Sequence, residues 1–289
     1  MRLGVHVSIA GGLQAALERA KRLGCTTMQI FSRSPRGGPA PALPRAVLQA
    51  FARERRAADI TPLAVHCPYI INLASSKPAV WRFSVALYQQ EVRRCVQLGA
   101  QYLVTHVGSH GGDGEDVGIK RVIDALNRTL EEALDGSVML LLENTAGSGQ
   151  GLGSTFEQLA AMRQGVKKPE AVGICLDTAH LFASGFAIHT EEGLDETLAR
   201  FDRVIGWEHV KLVHLNDSKV DFNSRVDRHW HIGEGKIGLE AMRRIVTHPR
   251  LREVPLILET PKKTEEDDPR NLATVRAFGA VKDDHARAA

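Results

Sequence analysis

Six residues able to hold a metal ion recur along the chain: His66, His106, Glu143, Asp177, His214 and Glu259. The intervals between them are 40, 37, 34, 37 and 45 residues, each the length of one strand plus one helix. Every one of them closes a short apolar run. Imidazole nitrogens and carboxylate oxygens are the donors that suit Zn²⁺ or Mn²⁺. Buried at the end of an apolar strand without a partner, such groups are costly, so their recurrence asks for a metal or a counter-charge. Three more candidates follow two of these runs. In LDTAHLF, His180 stands three residues after Asp177, within one turn. In SRVDRHWHIGEG, Asp227 and His229 are two apart and share one side of an extended segment. The nine side chains, five histidines and four carboxylates, exceed what one ion can use. A carboxylate such as Glu143 can bridge two ions, and the set is expected to serve three. Glu143 and Glu259 are the expected catalytic carboxylates.

These residues need elements that bring them together. Near-continuous Val/Ile/Leu runs at 3–7, 27–31, 62–66, 102–106, 138–143, 172–177, 211–215 and 255–259 read as strands buried on both faces. Amphipathic segments lie between them. One places Leu13, Ala16, Leu17, Ala20 and Leu23 on a single face, and 79–98 and 116–134 repeat that pattern. Gly24, Gly99 and Gly136 follow such segments, where a left-handed residue ends a helix. Eight strands alternating with helices predict a single-domain α/β TIM (β/α)8 barrel over residues 1–280, with a flexible tail at 281–289. A doubly wound open sheet is the alternative, but no Gly-x-Gly-x-x-Gly follows the first strand. In a barrel the C-terminal strand ends meet on one face, which unites the six ligands.

Composition narrows the class. The 289 residues are 43% hydrophobic and 25% charged, with a net charge of +3. Disordered, collagenous and membrane-spanning chains are excluded, since no apolar stretch approaches the 20 or so residues a bilayer needs. The four scattered cysteines read as reduced thiols of a cytoplasmic protein. Cys175 shares a strand face with Asp177 and is taken as packing. His209, His248 and His285 are expected to be ordinary surface or helix residues, while His6, His110, His189 and His231 stay open. The glycine-containing loops NTAGSGQGLGS and VGSHGGDG lack the Walker pattern and read as loops over the barrel mouth. Asn144 and Asn216 follow ligand-bearing strands and are expected to orient them.

The segments GVHVSIAGGL, HCPYIINLAS, HVGSH, LLENTAG, GICLDTAHLFASG, VHLNDSKVDFNSRVDRHWHIGEG and PLILETP, taken in order, resemble the endonuclease IV family. The resemblance runs from Met1 to Pro261. It implies a TIM barrel with three zinc ions, Mn²⁺ being able to occupy one or more sites. The first ion would be held by His66, His106 and Glu143, the second by Glu143, Asp177, His214 and Glu259, and the third by His180, Asp227 and His229. The implied activity is hydrolysis of double-stranded DNA 5′ to an abasic site in base excision repair. The products would be 3′-hydroxyl and 5′-deoxyribose phosphate ends, and 3′-phosphodiesterase activity is implied as well. The implied setting is a monomer in the cytoplasm, associated with the nucleoid. Arg36, Tyr69 and Ile70 match positions that contact DNA at the lesion, and Arg33 shares the loop of Arg36. Two departures stand out: SRSPRGGPAPA lacks the aromatic residue relatives often carry after the arginine, and HVGSH has Val107 where proline is common.

The competing reading is a sugar isomerase or epimerase of the xylose-isomerase type, which would hold a single ion on Glu143, Asp177, His214 and Glu259. It leaves His66, His106, His180, Asp227 and His229 without a task. A non-catalytic DNA- or metal-binding barrel is a third reading.

Overall fold

The structure, a computed structural model, describes residues 1–132 and 136–280, so the expected tail at 281–289 lies outside the described residues. Ten strands are present among them: β1 (Leu3–Val5), β2 (Met28–Phe31), β3 (Leu63–His66), β4 (Tyr102–Thr105), β5 (Met139–Glu143), β6 (Val172–Asp177), β7 (Val210–His214), β8 (Asp217–Ser218), β9 (His229–Trp230) and β10 (Leu256–Leu258). Helices α1 (Leu13–Arg22), α2 (Arg45–Ala57), α3 (Pro78–Leu98), α4 (Glu115–Glu132), α5 (Phe156–Gly165), α6 (Thr178–Ala183), α7 (Glu191–Val204), α8 (Leu239–Thr247) and α9 (Asp267–Ala280) lie between and after them. Eight strands form one parallel sheet in the order β1-β10-β7-β6-β5-β4-β3-β2. The two ends meet through a parallel bridge between His6 and Gln29, with the Val7 N–H donating to Gln29 O at 2.7 Å and the Thr26 N–H to Leu3 O at 2.9 Å. That seam closes a TIM barrel, as the strand pattern predicts. It depends on Gly4, because a Cβ there would stand 1.9 Å from Thr27 O.

Strand periodicity explains why the chain closes this way. Residues such as Leu63, Val65, Leu103, Leu140, Leu142, Ile174 and Leu176 face outward into the main core, against Leu17, Phe51, Tyr88, Leu126 and Phe156 of the helices. Their alternates fill the barrel: Ala64, Val104, Leu141, Cys175, Leu212 and Ile257 form a separate, fully buried cluster. Each buried aliphatic side chain contributes roughly 1.5–3 kcal/mol. Truncating the buried Phe51 on α2 would cost about 3–5 kcal/mol through lost burial and the cavity left behind. One step of two residues past the inner cluster, the same faces reach His66, His106, Glu143, Asp177, His214 and Glu259.

Some boundaries differ from the sequence expectation. His106 and Glu259 lie one residue past β4 and β10, where the strands have begun to open into loops. The short antiparallel pair β8–β9 has no apolar alternation to announce it. Gly24 and Gly99 take the left-handed conformation expected of helix ends, with φ of 64° and 63°. No helix among the described residues is long and apolar enough to cross a membrane.

Candidate metal centre

The nine sequence-predicted ligands meet at the C-terminal mouth of the barrel. The donor atoms of eight of them fall into three sets: His66, His106 and Glu143; Glu143, Asp177, His214 and Glu259; and Asp177, His180 and His229. Within each set the donor atoms all lie within 4.8 Å of one another. Glu143 Oε2 is 3.2 Å from His66 Nε2 and 3.3 Å from His106 Nε2, while its Oε1 lies 2.9 Å from His214 Nδ1. Glu143 therefore spans two sets, as the sequence suggested. Asp177 does so too, which the sequence did not suggest: its Oδ2 lies 3.4 Å from His229 Nε2. Asp227 reaches the third set from an exposed loop, with Oδ1 3.2 Å from His180 Nε2 and 3.4 Å from His229 Nε2.

Local structure places each group. Asp177 ends β6, and its Oδ1 accepts from the His180 N–H at 2.7 Å, capping α6. One turn of that helix carries His180 into the site. Asn144 and Asn216 hold the strand ends in step. Asn144 Oδ1 accepts from the Asp177 N–H at 2.7 Å, Asn216 Nδ2 donates to Asp177 Oδ2 at 2.7 Å, and Asn216 Oδ1 accepts from the Glu259 N–H at 2.8 Å. The segment returning from the exposed loop is gathered by Asp217, a fully buried carboxylate. It accepts from the N–H groups of Gly233 (3.0 Å), Gly235 (3.0 Å), Ile237 (2.9 Å) and Gly238 (3.3 Å). A Cβ at Gly235 would stand 2.4 Å from Asp217 Oδ1, so a larger residue could not close this nest.

The imidazoles are oriented by their second nitrogens. Nδ1 of His66 meets Cys67 O at 2.7 Å, that of His180 meets Asn144 O at 2.9 Å, and that of His229 meets Glu259 O at 3.2 Å. A carbonyl can only accept, so each Nδ1 carries the proton and each Nε2 turns toward the carboxylates. His214 is reversed: Nε2 donates to Gln29 Oε1 at 2.8 Å, leaving Nδ1 toward Glu143 and Glu259. Gln29 Nε2 in turn donates to Glu259 Oε1 at 2.7 Å. This arrangement supplies a test of fit for a metal. His180 Nε2 and His229 Nε2 face each other at 3.4 Å, and two lone pairs at that distance need a cation between them. The donor set, imidazole nitrogens and carboxylate oxygens aimed by fixed partners, suits divalent transition ions.

In the metal-free chain protons meet the same demand. Burial disfavours a charged His180, but Asp177 and Asp227 outweigh it and raise its pKa to about 10. His66 and His214 are raised as well: burial opposes their charge, and it is overcome by Glu143 and Glu259 at His66 and by Cys175, Glu259 and Glu143 at His214. Burial lowers His106 to about 4, so it is neutral. Burial would also push the Glu143 carboxyl up, yet the charged His214 and hydrogen bonds from His214 and His66 hold it well below the usual range. Glu259, equally opposed by burial, is lowered by His214 and His6. Asp227 falls to about 2 because His180 outweighs its burial.

Of the histidines left open, only His6 joins the site, with Nδ1 3.3 Å from Glu259 Oε1 and 3.0 Å from Gln29 Nε2. His110 Nδ1 accepts from the Gly114 N–H, His189 stacks edge-on against Phe182, and His231 pairs with Asn271. His209 and His248 lie beside Glu208 and Asp195, apart from the centre, and His285 lies outside the described residues. Gln29 is the member that sequence reading missed. A fully buried polar residue in an otherwise apolar strand, in phase with Phe31 and two past Thr27, is the signal that marks it. Tyr69 and Ile70 are exposed beside the cluster, Tyr69 standing edge-on to Phe31 with ring centroids 5.5 Å apart, and Arg36 is on the neighbouring loop. A cavity of about 460 Å³ opens here, lined in part by His6, Phe31, Tyr69, His229, Glu259 and Lys262. Arg33 does not share the exposure of the rim; its side chain is buried against Glu91.

A closed parallel barrel with such a mouth defines the class first: the family model described as a xylose isomerase-like TIM barrel matches residues 17–281. The chain is 44% identical over 278 residues to "Probable endonuclease 4" of Chloroflexus aurantiacus, covering 96% of this chain and 98% of that one. It superposes on the crystal structure of endonuclease IV from Thermus thermophilus with a TM-score of 0.87 and 37% identity, over 97% of this chain and 100% of the other. The chain belongs to the endonuclease IV family. A D-tagatose 3-epimerase-like protein aligns over 99% of this chain and 100% of its own with a TM-score of 0.73 but only 19% identity, a likeness of fold alone.

Proposed function

We propose that this protein is an abasic-site endonuclease that hydrolyses the DNA phosphodiester 5′ to the lesion and leaves a 3′-hydroxyl and a 5′-deoxyribose phosphate. The observation that carries the reading is the convergence of all nine donors at one mouth, with Glu143 and Asp177 each shared between two sets. A one-metal sugar enzyme needs only the second set. Three zinc ions would be held by His66, His106 and Glu143; by Glu143, Asp177, His214 and Glu259; and by His180, Asp227 and His229, with Mn²⁺ able to replace zinc. Ions in such a set supply Lewis-acid activation of water and of the phosphoryl group, and offset the charge of the leaving oxygen.

The chain's own residues do the rest. Glu143 and Glu259 hold negative charge at the centre, and Gln29, Asn144 and Asn216 keep the donors aimed. Tyr69 and Ile70 offer exposed apolar surface at the rim, suited to filling the space left by a missing base. The guanidinium of Arg36 suits a phosphate or a base edge beside it. The Lys262 ammonium, which donates to His6 O at 2.5 Å and pairs with Asp268 Oδ2 at 2.7 Å, lines the cavity wall. Trimming of blocked 3′ ends would use the same centre, because it too breaks a phosphodiester at a sugar that lacks a stacked base.

The test is to incubate the purified protein with a duplex oligonucleotide carrying one synthetic abasic site, beside an undamaged duplex, and to map the cut. Incision immediately 5′ to the lesion, leaving an end that a polymerase extends, supports the reading. No incision with zinc and manganese both supplied would sink it and favour the one-metal enzyme.

A further inference from the structure

Helix α3 carries a glutamate that the metal centre does not use. Glu91 is fully buried, and both its oxygens are taken by the loop 32–42: Oε1 accepts from Arg33 Nε at 2.5 Å and Oε2 from the Ser32 hydroxyl at 2.6 Å. Arg94, one turn further along α3, completes the clamp. Its Nε donates to Ser32 Oγ at 2.8 Å, one terminal nitrogen to Ser32 O at 2.7 Å and the other to Pro41 O at 3.0 Å. The loop is thus held at both ends to one helix, while its tip carries Arg36.

The tip is joined to the second rim loop as well. The Tyr69 N–H donates to Pro35 O at 3.0 Å. Gly37 has φ of +91°, and a Cβ there would stand 2.7 Å from Ile70 Cδ1, so the two loops touch backbone to side chain. Arg36, Tyr69 and Ile70 therefore form one platform whose foundation is the buried charge of Glu91. A buried ion pair contributes little net stability over an apolar replacement of the same shape. What it does supply is a fixed direction: a guanidinium and a hydroxyl reach both oxygens of one carboxylate in only one placement of the loop.

We infer that Glu91, through Arg33, Ser32 and Arg94, is a positioning residue for lesion recognition: it sets where Arg36, Tyr69 and Ile70 stand, and so governs binding of the damaged duplex rather than the hydrolytic step. The inference rests on the reading of these three residues as the DNA-contacting rim. It separates two uses of arginine in one loop, with Arg33 spent on the fold and Arg36 left for the substrate.

The test compares the zinc-loaded wild-type protein with Glu91→Gln and Arg94→Met on a duplex containing a tetrahydrofuran abasic analogue. Each variant should raise KM by about tenfold or more and leave kcat within about twofold, since misplaced binding groups weaken capture without altering the reacting centre. Zinc content should equal that of wild type. Trypsin cleavage between Arg36 and Gly37 should accelerate in both variants, because the loop opens more often once its anchor is lost. An unchanged KM in a folded Glu91→Gln protein overturns the inference, as does a fall in kcat at constant KM. Should Glu91→Gln fail to fold, Arg94→Met decides by the same two criteria. A wild-type protein that neither binds nor cuts the duplex overturns the DNA reading itself, and the inference with it.

Discussion

The two halves of the metal centre are built differently. His66, Glu143, Asp177 and His214 stand on barrel strands, are almost wholly buried, and are held by neighbours in the same sheet. Asp227 and His229 arrive on the segment after β8, where the Asp227 side chain is 54% exposed and the nearest order comes from the Asp217 nest and the short β8–β9 pair. A barrel strand fixes a ligand through its register, so the first two sets exist as soon as the sheet closes. The third set must be assembled, and its position depends on backbone N–H groups gathered around one carboxylate. Rigidity is inherited on one side of the mouth and constructed on the other.

The largest effect should come from the shared group on the rigid side. Glu143→Gln removes a charge from two sets at once, and incision should fall by at least about 10⁴-fold with far-UV circular dichroism unchanged. Retained activity would show that the two sets do not act together. On the constructed side, Asp217→Asn should leave the barrel ligands intact and release the third set. Metal analysis should find one ion fewer per chain than in wild type, with activity lower by about 10²–10³-fold, the range for losing one electrostatic stabiliser of the developing charge. Equal loss from all sets would mean the halves are not separable. Gln29→Leu frees the His214 ring and should weaken metal binding by about 10–100-fold, the usual range for groups that orient a ligand, in competition against a chelator.

The smallest effect is a dependence on pH. His180, raised to about 10 in the metal-free chain, must give up a proton to bind an ion. Zinc affinity of the third set should therefore fall as pH drops from about 8 to about 7, by about tenfold if this proton alone is displaced. Calorimetry in buffers of different ionisation enthalpy should register proton release on binding; none would contradict the pairing of His180 with Asp177 and Asp227. For stability of the metal-free protein the sign is opposite. The raised histidine contributes fully below its unfolded pKa of about 6.5. That contribution is lost as pH climbs towards the folded value of about 10.

How far the sequence reaches follows the same division. His66, Glu143, Asp177 and His214 were legible because a period-two strand leaves no choice about which face its last residue shows, and His106 and Glu259, one residue past their strands, keep the same phase. His180 was legible from one helical turn, and Asp227 with His229 from their separation. The sharing of Asp177 was not, since it depends on how α6 and the loop after β8 converge. Nor was Gln29, whose partners are 185 and 230 residues distant. Arg33 and Arg36 look alike in sequence, and only the burial of Glu91 separates them. Asp217 gave no signal because its task is to accept from backbone groups, which nearly every residue carries.

The inner cluster of Ala64, Val104, Leu141, Cys175, Leu212 and Ile257 has a consequence for traffic. Its side chains are apolar and fully buried, and the ligands sit directly above it, so among the described residues the centre opens toward the mouth of the barrel. Water, ions and the DNA strand would then reach and leave the centre from the same side. A duplex resting on the rim would cork the ions in, and stripping them with a chelator should be slower from the occupied protein than from the free one. The enzyme would lose its metals most readily while idle.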